Sequence, residues 1–344
     1  MCVYCITLMP TDSENLLFNY GAADWLSEPD VAFDSFLSGY RFNQRRLRPS
    51  SFVVYKGMFN RLRVWAKEQG ISLFETKEPA IEQFLGARRL SPETRHRYLL
   101  LFTTLFEHLA QLNAEGSSLA LSKINNPART LLLEREAPTR EDPDFLNESE
   151  VQRFVEALPL GTNWKRLRDR AMALLVLGAG LRSSEVLSMK VSDLRLKSGE
   201  IEGVWVRAHK PRSARQVPIQ LWAAPELATW LQARDVLTSD AAPKSRGKAQ
   251  RLVGDLLFPA NLAGAQLQPA TLFRLVKTAL DQAGVFKRYE GPTLLRNSCG
   301  AFWLQKHEPL QVSLWMGHAT VRTTELLLPP SRRTRHSPHN VALR

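Results

Sequence analysis

The chain has 344 residues, 44% hydrophobic and 23% charged, which excludes a disordered polar chain and leaves room for two domains. Lysine and arginine total 46 against 34 acidic residues, giving a net charge of +12 and a pI of about 9.9. That excess makes a polyanion the first partner to weigh, nucleic acid ahead of a membrane surface, against the plainer reading of a basic surface kept for solubility.

Residues 1–30 show no sustained period and read as an irregular lead-in. Cys2 and Cys5 have CxxC spacing there, but no second pair or histidine cluster accompanies them, so neither a metal nor a cofactor is expected. With Cys299 they make three cysteines, a sparse odd set that fits a reducing compartment. A basic n-region followed by a long apolar h-region is missing, and no apolar run reaches the roughly 18 residues of a spanning helix. The expected location is cytoplasmic, nucleoid-associated if DNA is bound, with no membrane partner.

From Val31 to about Leu121 the pattern is helical. Ser50 or Ser51 can cap a long helix that ends at Gly70, and Glu78 to Leu85 supplies another. Ser91-Pro-Glu-Thr is a start signal for a third, with a serine cap, proline at N1 and an acid in the first turn. This half reads as a small all-α bundle over 31–121. Arg41, Arg45, Arg46, Arg48, Lys56, Arg61 and Arg63 lie before and along its long helix, and Arg88, Arg89, Arg95 and Arg97 near the next. Such a face can lie along a phosphate backbone, or it can simply be solvated. Residues 122–145 hold three prolines and mixed charge and read as a linker.

The second domain, 146–328, opens with the cap Asn147-Glu-Ser-Glu. Leu167 to Leu177 is apolar enough to be core and ends in Gly178-Ala-Gly180, with a new short helix near Arg182. Ile201 to Arg207 and Arg215 to Ile219 are β-like runs joined by a polar turn, a hairpin. Helices are expected at Pro225 to Ala233 and Thr271 to Ala283, with a basic loop at 240–255. After Leu328 a basic, proline-containing tail, 329–344, reads as disordered, and His336 and His339 belong to it. The fold class is mainly α with a small antiparallel sheet.

Four segments of this second domain carry a resemblance. Gly180-Leu-Arg182-Ser-Ser-Glu185-Val-Leu is similar to the first arginine box of the tyrosine recombinases, the phage integrase family. Val206 to Pro218 resembles the lysine-bearing hairpin of that family, with Lys210 at the lysine position and Pro211 where glycine is favoured. Leu295-Arg296-Asn resembles the second arginine box, and Trp315-Met-Gly317-His318 through Thr324 the histidine box. The boxes keep family order, and the similarity spans roughly 147–327. The helical first domain matches the family's SAM-like core-binding domain by position and type only.

The resemblance implies DNA breaking and rejoining on double-stranded DNA, with assembly of several copies or with a partner recombinase. It implies that Arg182 and Arg296 grip the scissile phosphate, that His318 assists, that Lys210 protonates the leaving oxygen, and that Glu185 supports Arg182. Preorganised cations suit the charge that develops on a phosphate under attack. Each residue also has a plain alternative: Arg182 starting a helix, Lys210 in a turn, Arg296 paired with a carboxylate, His318 capping a helix.

Two positions depart from the family. Thr293 stands where a histidine is expected, three residues before Arg296; a threonine can donate to phosphate but is no base near neutral pH. Leu327 stands about where the nucleophilic tyrosine is expected, and the last tyrosine of the chain is Tyr289. Leucine has no nucleophilic atom. Ser331 has no activating base nearby in sequence. A DNA-binding recombinase relative deficient in strand cleavage is therefore expected. The alternative is an active recombinase with its nucleophile supplied from elsewhere or lost from this ending by a frameshift.

Overall fold

A computed structural model of the protein describes residues 22–39, 41–42, 45–47, 49–115, 126–134, 142–208, 214–239, 244–245, 248–249 and 251–333. The chain divides into two compact units, Met1–Arg140 and Glu141–Arg344, each with its own apolar cluster.

The first unit is helical. It contains α1 (Ala22–Ser27), α2 (Pro29–Gly39), a two-residue ladder of β1 (Arg41–Phe42) and β2 (Arg45–Arg46), then α3 (Pro49–Glu68), α4 (Glu78–Gly86), α5 (Pro92–Glu115) and α6 (Arg129–Leu133). The lead-in is thus not irregular throughout. The short α1 is held by Trp25, which is buried edge-on against Phe33, Phe36 and Phe59, a contact that no local period announces. Helix α3 begins at Pro49, ahead of both serines read as caps, because proline is well suited to a first turn. It closes where Ile71 N–H reaches the Ala66 carbonyl at 2.8 Å and Gly70 N–H the Lys67 carbonyl at 3.1 Å. At α5 the Ser91 hydroxyl accepts from Thr94 N–H at 3.2 Å, the cap its sequence predicts. Helix α6 lies inside the stretch read as linker. Ala128 and Leu131 are buried in the first unit's apolar cluster, so that part of the stretch is structure and not spacer.

The second unit holds α7 (Glu148–Ala157), α8 (Trp164–Ala179), α9 (Ser183–Leu187), β3 (Leu194–Lys197), β4 (Glu200–Val206), β5 (Arg215–Pro218), α10 (Ala224–Thr238), β6 (Lys244–Ser245), β7 (Lys248–Ala249), α11 (Pro269–Gln282), α12 (Pro292–Trp303), α13 (Pro309–Met316) and α14 (Val321–Glu325). Asn147 and Glu150 form a reciprocal capping box on α7, at 2.9 and 2.8 Å. Helix α8 buries a continuous run from Ala171 to Ala179, as its apolar sequence demands. Fully burying one such leucine or valine is worth about 1.5–3 kcal/mol.

The sheet is antiparallel in the order β3-β4-β5. The hairpin β4–β5 is the one expected from sequence, while β3 is an addition. Only Leu194 of that strand is buried, so four residues give no alternation to read. Inside the expected basic loop, β6 and β7 pair as Lys244↔Ala249 and Ser245↔Lys248.

Beyond α14 the chain does not become disordered at 329. Leu327 and Leu328 are buried, Pro330–Arg332 makes a 3-10 turn, and Arg333 folds back on its own unit. Its guanidinium donates to the Leu328 and Leu326 carbonyls at 2.9 and 3.1 Å and to Asp142 at 2.8 Å. A long side chain that satisfies orphan carbonyls fixes the stretch from Leu326 to Arg333, something composition does not reveal. His336 and His339 lie outside the described residues.

Candidate phosphate-binding site

The site is built around the C-terminal end of α13. The last carbonyls of a helix lack intrahelical partners and carry the negative end of its dipole, so cations collect there. Here three successive carbonyls each take a different arginine. Arg215 Nε donates to Trp315 O at 2.7 Å, Arg296 Nη2 to Met316 O at 2.5 Å, and Arg182 Nη2 to Gly317 O at 2.5 Å. The helix stops in a Schellman turn, with Gly317 N–H on Leu314 O and His318 N–H on Ser313 O, both at 3.1 Å. Gly317 has φ +62°, and a Cβ there would lie 2.8 Å from the Arg215 guanidinium carbon. Both the backbone and the crowding call for glycine.

Arg182 precedes α9, where its backbone N–H bonds Glu185 Oε2 at 2.8 Å and its Nη1 bonds Glu185 Oε1 at 2.9 Å. Glu185 is 6% exposed. Arg215 approaches it as a fork, Nη1 to Oε1 and Nη2 to Oε2, both at 2.9 Å. Burial by itself raises the Glu185 pKa. The hydrogen bonds and charges of Arg215 and Arg182 outweigh it and hold the carboxyl down at about 2. The Arg182 side chain remains 43% exposed, that of Arg215 only 11%.

Arg296 rises from α12, buried, with Nη1 on the Gly180 carbonyl and Nη2 on that of Met316. Its hydrogen-bond partners among the described residues are carbonyls, so the carboxylate pairing considered from sequence is not what holds it. Burial first, then repulsion from Arg182, pushes its pKa down to about 9. An arginine stays protonated at neutral pH, so the folded state carries the cost of a poorly compensated buried cation. An anion placed beside it relieves that cost. Thr293 is exposed one turn earlier on α12.

His318 directly follows the three arginine-bound carbonyls. Its Nδ1 lies 2.8 Å from the hydroxyl of Thr324, a buried side chain of α14. This contact orients the ring from one nitrogen. The structure therefore brings Arg182, Glu185 and Arg296 to one helix end, with His318 next in the chain after Gly317. Lys210 lies outside the described residues. The described strand residues nearest it on either side pair as Val206↔Arg215.

Leu327 is 3% exposed and belongs to the second unit's core. A Cβ on Gly300 of α12 would come within 2.6 Å of Leu327 Cδ1 and 2.5 Å of Met316 Sδ. Leucine at 327 thus fills a tight apolar seat formed by α12 and α13. Ser331 is exposed in the 3-10 turn. Among the described residues the cluster offers donors and positive charge to an anion; it can grip a phosphate.

Arg215 is the site residue that sequence reasoning did not single out. Its signal was weak: an arginine just before Gln-Val-Pro in a strand reads as an edge charge, and its two partners, Glu185 and Trp315, lie 30 residues upstream and 100 downstream.

Comparison with known proteins bears on this arrangement. Residues 144–326, just over half of the chain, match the phage integrase family. A tyrosine recombinase of Pseudothermotoga lettingae is 26% identical over 292 residues, 85% of this chain and 91% of that protein. The tyrosine recombinase XerC of Xanthomonas campestris pv. campestris is 29% identical over 291 residues, 82% of this chain and 79% of the relative. Among solved structures, XerH site-specific recombinase bound to a palindromic difH substrate superposes with a TM-score of 0.59 at 20% identity, covering 87% of this chain and 80% of that one. A lambda integrase dimer bound to a COC′ core site gives 0.56 at 17% identity, with 92% and 98% covered. At those identities the structural likeness speaks for the fold.

Proposed function

The chain belongs to the phage integrase family, the tyrosine recombinases of site-specific recombination, and on that premise we propose that it binds double-stranded DNA and grips a backbone phosphate without cutting it. The grip is assigned to Arg182 and Arg296, with His318 assisting and Lys210 as a further phosphate contact. Glu185 supports Arg182. The observation that carries this reading is the set of arginines fanned around one helix end. Among the described residues Arg296 hydrogen-bonds to carbonyls, and burial and repulsion from Arg182 outweigh the attraction of Glu185, an arrangement costly for a free protein and relieved by an anion.

The missing cleavage rests on Leu327, a buried apolar side chain where a nucleophile is expected. Thr293 at the first-histidine position removes a base as well. Structural neighbours include dimers and a tetramer on DNA, and we extend homo-oligomeric assembly on DNA to this chain. No helix among the described residues is long and apolar enough to cross a membrane.

The test is a binding and trapping experiment on a nicked DNA duplex. Salt-sensitive retention without a covalent protein–DNA band after denaturation is expected, and Arg182→Ala and Arg296→Ala each weaken retention. A band that survives denaturation would overturn the non-cutting reading and favour a nucleophile supplied from elsewhere.

A further inference from the structure

Arg215 is the most heavily engaged cation of the cluster, and its geometry differs from that of the two arginines assigned to phosphate. Its Nε, Nη1 and Nη2 are all occupied, by Trp315 O and by both oxygens of Glu185, and its side chain is 11% exposed. Arg182 uses only Nη1 and Nη2, and stays 43% exposed. The same carboxylate oxygen, Glu185 Oε1, accepts from Nη1 of both, each at 2.9 Å.

Such sharing has an electrostatic consequence. A lone Arg182–Glu185 pair is neutral, and a neutral pair is a poor anchor for a phosphate. With Arg215 on the inner side, the triad Arg182–Glu185–Arg215 carries one net positive charge. That charge is displayed where the exposed guanidinium is, on Arg182. The Nε of the same side chain ties β5 to the carbonyl of Trp315 on α13. Gly317, where a Cβ would lie 2.8 Å from the guanidinium carbon, lets Arg215 press against the turn that leads into His318.

We propose that Arg215 is a positioning residue: it neutralises Glu185 from the buried side, so that Arg182 keeps its positive charge and its orientation for a DNA phosphate. This rests on the phosphate-gripping reading above. Arg215 itself touches no phosphate and acts through Arg182.

The measurement is the salt dependence of binding by the full chain to a fluorescent mixed-sequence duplex, with unfolding followed in parallel by circular dichroism. Each phosphate contact contributes about 0.9 to the slope of log K against log salt. Arg182→Ala is expected to lower the slope by about one contact. Arg215→Ala lowers it by the same amount, and the double variant falls no further. Adding Glu185→Gln to Arg215→Ala restores the slope without restoring thermal stability, an outcome a merely structural role would not give. Arg215→Lys, which keeps the charge but not the fork, provides the reading if the alanine variant does not fold; it is expected to keep the slope and lose stability. An Arg215→Ala slope equal to wild type while Arg182→Ala lowers it would overturn the proposal, as would additive losses in the double variant. If Arg182→Ala leaves the slope unchanged, the phosphate-gripping reading itself falls.

Discussion

The two units hold their arginines in opposite ways. In the first, basic side chains pair at the surface, Lys56 with Asp34 at 2.7 Å and Arg63 with Asp30 at 3.2 Å; Arg89 and Arg97 are exposed, and Arg61 Nε reaches the buried Tyr98 Oη at 2.7 Å. In the second, Arg182, Arg215 and Arg296 converge on one helix end, each bound to a backbone carbonyl, and Arg182 and Arg215 share one buried carboxylate. Exposed pairs are screened and worth about 0–1 kcal/mol each, so they shape a field without fixing a geometry. Buried arginines are costly to desolvate, and their orientation survives only if every neighbour cooperates. A diffuse face suits following a backbone; a fixed cluster suits holding one phosphate.

Substitutions can break or sharpen that contrast. The largest effect is expected from Glu185→Ala, which strips a buried partner from two arginines at once. Breaking a buried pair this way costs about 3–5 kcal/mol, read as a lower denaturation midpoint of the second unit.

Acid is the next lever. Glu185 titrates at about 2 in the folded state against an ordinary 4.5. Its pKa is depressed on folding, so its stabilisation is complete above 4.5 and is lost as pH falls towards 2. That difference corresponds to about 3 kcal/mol, measured as a fall in stability across this window that Glu185→Gln lacks.

Leu327→Tyr is expected to cost about 1–3 kcal/mol by overpacking the seat beside Gly300 and Met316. Any DNA cleavage it produced would mean that the ring swings out of the core towards the arginines, so a denaturing gel and a melting curve are read together. The smallest effect belongs to the first unit. Lys56→Ala should change stability by less than about 0.5 kcal/mol. A loss as large as that of Glu185→Ala would end the distinction between the two sets.

Much of the site could be read along the chain because its parts are local. Gly180-Leu-Arg182 and Glu185 fall in one helix start, Gly317-His318 in one helix stop, and the capping signals at Ser91 and Asn147 predict helices where they occur. Their physics is contained within a few residues. Helix α1 and the α6 turn inside the presumed linker were not legible, since Trp25 and Leu131 are held by residues distant in sequence. Strand β3 is too short to show a period.

The sequence by itself determined a basic, mainly helical, two-unit chain with a family's boxes in order and no tyrosine after Tyr289. Only the tertiary structure decided which cations work together and where residues 327–333 go. It brought Arg215 to Glu185 and seated Leu327 against Gly300, and it fastened Arg333 to the Leu326 and Leu328 carbonyls. Each of these depends on a backbone carbonyl or a buried neighbour supplied by another element. Carbonyls are common to every residue and carry no letter of their own in the sequence, so folding alone shows which of them an arginine will find.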